Sequence, residues 1–439
     1  MFKETSKELL DFLSKSPTAF HAVENYRQIL NADGFKELLE SEHWDIVPGG
    51  KYYVTRNNTS ILAFKVGTKL DNYSFNIVTS HTDSPTFKVK ENAEIEVKNK
   101  YTQLNTEGYG GMLCATWLDR PLSIAGRVLV SEGNSIVTKL LNIDRDLLMI
   151  PNVAIHMNRA ANDGFKYNLQ VDMLPLLSGG VDRQKDFKQI IADELGVKKE
   201  DILGHDLYLY NRMAPSIWGA NEEFISSGHL DDLQCGFASL KALLAGYNDE
   251  SIDIMACFDN EEVGSGTKQG ADSTLLRDTL IRINNALGKT EEDYHRALAS
   301  SFMLSADNAH AVHPNHPEHT DVTNCTYMNE GVVVKSHAGQ KYTSDGVSMA
   351  VVKSLASGAD VPLQYFANRS DKAGGSTLGN IAMAQASMNA VDIGLPQLAM
   401  HSSYETAGIK DTYYAISLMK ALFDSHIQET STHSLEIKR

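Results

Sequence analysis

The chain has 439 residues, 42% hydrophobic and 22% charged, with Gly 31 and Pro 11, an ordinary globular composition with room for two or three domains. A formal net charge of -16 and a pI near 5.4 argue against a nucleic-acid groove or an anionic membrane surface as main partner, since both attract basic patches; small molecules or peptides fit better. No apolar run approaches the ~20 residues that span a bilayer, and Met1-Phe2-Lys3-Glu4 lacks the apolar segment of a secretory signal, so the expected location is the cytoplasm.

Leu9, Leu10, Phe12 and Leu13, then Phe20, Val23, Tyr26 and Leu30, recur at helical spacing and predict two helices meeting at Ser16-Pro17-Thr18. A strand pair is expected at Lys51 to Arg56 and Ser60 to Val66, joined by Asn57-Asn58-Thr59, and a further strand at Ser74 to Ser80. That strand runs into His81-Thr82-Asp83-Ser84-Pro85. Beyond Lys88 charged and apolar residues alternate, and Leu122 to Val130 resumes the alternation, which predicts a β-rich unit over 89–220 with charged helical stretches from Asp182 to Leu203. From Asn221 strands and helices alternate: helix Leu233 to Tyr247, strand Ile252 to Phe258, helix Ser273 to Ala286, strand Ser301 to Ser305 and strand Gly331 to Lys335. Helix Ser344 to Ser357, strand Pro362 to Phe366, helix Thr377 to Asn389, strand Ala390 to Ile393 and helix Tyr413 to Ser425 complete the series. The expected fold class is α/β, a mostly parallel central sheet with helices on both faces built from 1–88 and 221–439, interrupted by the β-rich unit.

Chemistry gathers where strands should end. Asp259-Asn260-Glu261-Glu262-Val263-Gly264-Ser265 follows an apolar strand, and two adjacent carboxylates there are either an acidic turn facing water or groups compensated by a cation. His81 and Asp83, Asp231 and Asp232, Asp307 and His401 add imidazoles and carboxylates at similar places, an N/O donor set that suits Zn, Mn or Co, with one carboxylate able to bridge two ions. His81 and Asp83, two apart in an extended segment, point the same way, which lets Asp83 orient the imidazole. Glu261 and Glu262 point differently, so one can bind metal while the other serves as general base. His310, His313, His316 and His319 read as a loop, and Cys114, Cys235, Cys257 and Cys325 contain no Cys-x-x-Cys. Gly264-Ser265-Gly266-Thr267-Lys268 lacks the spacing of a phosphate loop.

Taken together these segments resemble the aspartyl aminopeptidase family, dizinc exopeptidases that assemble into tetrahedral dodecamers. The resemblance runs from Leu10-Asp11-Phe12-Leu13, Ser16-Pro17-Thr18 and Phe20-His21-Ala22-Val23 through His81-Thr82-Asp83-Ser84-Pro85, Leu230-Asp231 and Asp259 to Ser265. It continues through Ser305-Ala306-Asp307, His310 to Asn315, Gly375-Ser376-Thr377-Leu378-Gly379 and Pro396-Gln397-Leu398-Ala399-Met400-His401-Ser402. It implies a zinc exopeptidase-like fold with an inserted dimerisation domain, and two zinc ions held by His81, Asp231, Glu262, Asp307 and His401, with Asp231 bridging and Mn or Co as substitutes. It further implies Glu261 as general base, Asp83 as orienting carboxylate, and His156 of Ala154-Ile155-His156 steadying the oxyanion in a neighbouring subunit. Lys335 and Tyr342 match positions near the family's substrate side-chain pocket. The chain departs from the family at His229, Asp232, Asn380 and Tyr404. The expected activity is removal of an N-terminal, acidic residue from peptides, by a homo-oligomer. A related dizinc amidohydrolase or carboxypeptidase, and a non-catalytic shell protein of the same fold, are the rival readings.

Overall fold

The computed structural model describes residues 1–179 and 185–439. Two strands, Ser74–His81 and Ser251–Phe258, lie parallel and adjacent inside a nine-stranded sheet, and every residue of both is buried. Both faces of these strands are covered, so polar Ser74, Asn76, Thr79, Ser80 and Asp253 are interior along with the apolar residues between them. Phe302–Ala306 continues the parallel run, followed by Asn389–Gly394. Ser60–Val66, Lys51–Arg56 and Lys36–Leu38 finish one edge, and Val332–Ser336 with Leu363–Ala367 finish the other. The sheet is parallel at its centre and mixed toward its edges: Ser60–Val66 runs antiparallel to both neighbours, and Val332–Ser336 runs antiparallel to Asn389–Gly394.

Successive side chains of the central strands enter two different cores. Val78, Met255 and Cys257 pack with residues of helices Phe2–Ser14, Ala19–Ala32, Leu230–Ala245 and Asp411–Phe423. Phe75, Ile77, Ile254 and Phe258 pack with residues of Leu275–Ala286, Glu291–Ala299 and Leu378–Gln385. Helices therefore cover both faces, as the alternation of elements predicted.

A six-stranded antiparallel sheet is built from Thr86–Val97, Tyr101–Tyr109, Leu122–Glu132, Ser135–Asn142, Leu176–Gly179 and Ile202–Asn211. It encloses a core of its own around Phe87, Leu104, Trp117, Ile124 and Leu207, with Phe187 and Ile191 of helix Phe187–Leu195. Of the stretch expected to be helical from Asp182, Phe187–Leu195 is α-helix and Lys199–Asp201 a single 3-10 turn; 182–184 lie outside the described residues, and Ile202 and Leu203 are strand.

A five-stranded sheet escaped the sequence reading. It collects Ser216–Trp218, Phe224–Ser227, Glu405–Gly408, Pro396–Leu398 and Ala309–His310, pieces of two to four residues with too little pattern to reveal a period. Among the described residues no helix is long and apolar enough to cross a membrane.

Candidate metal centre

Strand register decides where the chemistry sits. Phe258 stands opposite His81 and Ser305 opposite Thr79, so three neighbouring parallel strands release the chain at one end of the sheet. There they deliver His81 to Asp83, Asp259 to Glu262, and Asp307, at the strand ends where α/β sheets place their ligands. Asp231 comes from the first turn of helix Leu230–Ala245, where Asp231 and Asp232 have non-helical dihedrals and share a cis peptide bond. His401 follows strand Pro396–Leu398 and has a left-handed backbone, φ 67°.

His81, Asp231, Glu261, Glu262, Asp307 and His401 line one cavity of about 340 Å³, together with Lys335 and Tyr342. His81 Nε2 is 3.4 Å from Asp231 Oδ1; His401 Nε2 is 3.8 Å from Asp231 Oδ2 and 3.4 Å from Glu262 Oε1. Three overlapping sets, His81 with Asp231 and Asp307, Asp231 with Glu262 and His401, and His81 with Glu261 and Glu262, bring potential ligand atoms within 4.8 Å of one another. Asp231 belongs to the first two and turns one oxygen toward each histidine, the disposition a bridging carboxylate needs.

The residues fit divalent cations on two further grounds. Asp231 Oδ1 and Glu262 Oε1 are buried and accept no hydrogen bond. Negative charge is also in excess, with Lys335 the one ammonium in the cavity wall among the described residues. Burial pushes the Glu261 carboxyl up to about 8, with Asp307, Asp83 and Asp231 adding to it against His81. It pushes Asp307 up to about 6 and Glu262 well above the carboxylate range. Burial works against Asp231 too, but His81, His401 and Lys335 hold it below its ordinary range. Orphaned oxygens, imidazole nitrogens and surplus negative charge suit a borderline dication such as zinc.

Around these groups lies a set of positioning contacts. The carboxylate of Asp83 accepts the main-chain N–H of Glu261 and of Glu262, each at 3.2 Å, and the hydroxyl of Tyr109 at 2.7 Å. The sequence reading gave that carboxylate the His81 imidazole. Here the shorter contact to His81 Nδ1 is the Asp83 main-chain oxygen at 3.0 Å, with the carboxylate at 3.4 Å. Gly111 O lies 2.9 Å from His401 Nδ1. Glu405 accepts the N–H of Asp231 at 3.0 Å and of His401 at 2.8 Å. Lys335 donates to Asn308 O at 2.8 Å, lies 3.9 Å from Asp307 Oδ1 and sits over the Tyr342 ring. Burial works against its ammonium, but Asp307, Tyr342 and Asp392 outweigh it and raise the pKa.

Two groups lie elsewhere. His156 is exposed and does not line the cavity of its own chain. Of the histidine tract, His310 joins the cavity wall, while His313, His316 and His319 are exposed, the last two near Glu318 on a short turn. Tyr109, Gly111 and Glu405 were not singled out from sequence. Tyr109 and Gly111 belong to Gly108-Tyr109-Gly110-Gly111, a glycine-rich stretch that by sequence reads as a turn, and Glu405 lies on a strand of four residues, too short to detect.

A histidine- and carboxylate-lined cavity at the carboxyl end of a mixed α/β sheet defines a metal-dependent hydrolase. The chain belongs to the M18 family: the family model described as aminopeptidase I zinc metalloprotease (M18) matches residues 12–423. A probable M18 family aminopeptidase 2 of Clostridium novyi (strain NT) is 47% identical over 425 residues, covering 95% of this chain and 98% of the relative. A chain of a cryo-EM structure of the Ape4 and Nbr1 complex matches with a TM-score of 0.93 at 35% identity, covering 96% of this chain and 86% of that one. A structure of the S. cerevesiae mApe1 dodecamer matches with a TM-score of 0.84 at 28% identity, covering 96% and 97%. The protein is thus a zinc-dependent aminopeptidase, and the rival carboxypeptidase and shell-protein readings fall away.

Proposed function

We propose that the cavity holds two zinc ions, with His81, Asp231, Glu262, Asp307 and His401 as ligands and Asp231 as the bridge, and that Mn or Co can replace them. The observation that carries this reading is the pair of ligand sets sharing Asp231, one completed by His81 and Asp307 and the other by Glu262 and His401. When bound, the ions lower the pKa of a water molecule and polarise the scissile carbonyl. Glu261 is the general base: it lines the same cavity, and burial makes its carboxylate a willing proton acceptor. It takes the proton of the attacking water and returns it to the departing amine.

Lys335 favours a peptide whose first residue is acidic, which would place the chain among the aspartyl aminopeptidases. Its ammonium has three donors and spends one on Asn308 O. The unit over 89–220 is read as the dimerisation domain of a cytoplasmic homo-oligomer, ultimately a dodecamer. His156 supports this reading, since it sits in a segment with exposed Val153, Ile155 and Met157 that suits contact with another subunit. From there it would reach a neighbour's oxyanion.

Replacement of Glu261 by Gln tests the mechanism on aminoacyl-arylamides, with zinc content measured in parallel. The expected result is a kcat about 10²- to 10⁴-fold lower with both zinc ions retained. Wild-type turnover by this variant would remove Glu261 from the mechanism.

A further inference from the structure

The end of strand Tyr101–Tyr109 and the four residues after it leave the six-stranded sheet and enter the metal centre of the same chain. Tyr109 Oη donates to Asp83 Oδ2 at 2.7 Å and accepts from Asn260 Nδ2 at 2.7 Å. The direction of this chain of hydrogen bonds is fixed from its far end. Asn260 Oδ1 accepts from Thr267 Oγ1 at 2.8 Å and from Gln269 Nε2 at 2.9 Å, so the amide must present its NH₂ to Tyr109. With a lone pair thus engaged, the phenol proton is directed at Asp83.

Asp83 is the point where that proton matters. Its carboxylate receives the N–H groups of Glu261 and Glu262 and faces His81 Nδ1 at 3.4 Å. Two residues further along the same segment, Gly111 O meets His401 Nδ1 at 2.9 Å, and Leu113 N–H donates to His401 O at 2.9 Å. Gly110, at φ 75°, lies between these contacts, and a Cβ there would stand 3.1 Å from the Glu262 Cβ. One strap from the six-stranded sheet therefore touches the surroundings of both histidines, and through Asp83 the backbone of the base and of a ligand carboxylate.

We propose that Tyr109 is a positioning residue of the zinc centre, acting through Asp83, and that the strap 109–113 makes the six-stranded sheet a structural part of that centre. This rests on the two-zinc reading above. Loss of the Tyr109 hydroxyl leaves the Asp83 carboxylate one donor short and releases its hold on His81 and on the Glu261-Glu262 backbone. Partners of metal ligands are typically worth about 10- to 100-fold in affinity or activity, and Tyr109 stands one bond further out, so about tenfold is expected.

The test is Tyr109→Phe, which keeps the ring that packs edge-on against Tyr208 at 5.7 Å and removes the hydroxyl alone. Zinc-free protein is titrated with zinc against a chromophoric chelator, and kcat, KM and the unfolding temperature of the zinc-free form are measured beside wild type. The expected result is one of two zinc ions bound about tenfold more weakly and kcat reduced about tenfold, with KM within about twofold and the zinc-free form still folding cooperatively, its unfolding temperature lower by a few degrees at most. Wild-type zinc affinity and kcat in Tyr109→Phe would overturn the proposal. Failure of the wild-type protein itself to take up two ions would instead overturn the reading on which it rests. Should Tyr109→Phe not fold, Asn260→Gly carries the test: it tolerates the left-handed backbone of φ 62° and frees the phenol proton to turn away from Asp83. It is expected to weaken zinc binding about threefold; unchanged affinity there would equally overturn the proposal.

Discussion

Lys335 is the residue whose surroundings speak most directly to selectivity. It is 4% exposed, yet it lines the cavity and keeps its charge because Asp307 and Asp392 lie near. A buried cation beside a peptide's first side chain favours an acidic group and disfavours a cationic one. For Lys335→Met, the ratio of kcat/KM for Asp- or Glu-arylamides to that for Leu-arylamides is expected to fall by about 10- to 100-fold, or about 1.4–2.8 kcal/mol. A substrate panel measures it, and an unchanged ratio would show that Lys335 serves only to balance Asp307.

At the scale of elements, the centre depends on segments that no single strand or helix supplies. Glu405, in strand Glu405–Gly408, joins the start of helix Leu230–Ala245 to the His401 loop by accepting an N–H from each. Removing its carboxylate leaves two N–H groups without their acceptor, so Glu405→Ala is expected to lose about 2–4 kcal/mol of stability in urea unfolding of the zinc-free protein. Glu405→Gln, which keeps one carbonyl oxygen, should lose about half as much. Equal stability of the Ala variant and wild type would mean that other acceptors or water replace it.

The elements that were legible in the sequence are those with a strong local cause. Asn57-Asn58, both with positive φ, make the turn between Lys51–Arg56 and Ser60–Val66, and the apolar run ending at Phe258 gave the central strand. The ligand candidates were legible because imidazoles and carboxylates at buried strand ends are costly unless they do something. The regular turns of helix Leu230–Ala245 begin at the expected Leu233, because Asp231 and Asp232 before it have non-helical dihedrals. The positioning groups were invisible for a different reason. Tyr109 and Glu405 act across separations of 26 residues to Asp83 and 174 to Asp231, and nothing local marks a hydroxyl or carboxylate whose partner lies so far along the chain.

For the whole molecule, burial of so many carboxylates makes metal a component of stability as well as of catalysis. At a free zinc concentration about a thousandfold above Kd, binding stabilises the folded state by about 4 kcal/mol. Dialysis against a chelator is therefore expected to lower the unfolding temperature by several degrees, and zinc to restore it. An unchanged transition would mean that the carboxylates are accommodated without cations.

The strands of the six-stranded sheet all come from 86–211 and enclose a core of their own, whereas the candidate metal cavity is lined by residues from His81 to His401. During synthesis the stretch can fold as soon as it leaves the ribosome, long before His401 exists. The strap carrying Tyr109 and Gly111 would then wait in place on a finished sheet. The centre closes on it last, when His401 and Glu405 arrive, so a truncated or stalled chain would carry the six-stranded sheet and its strap but an incomplete metal cavity.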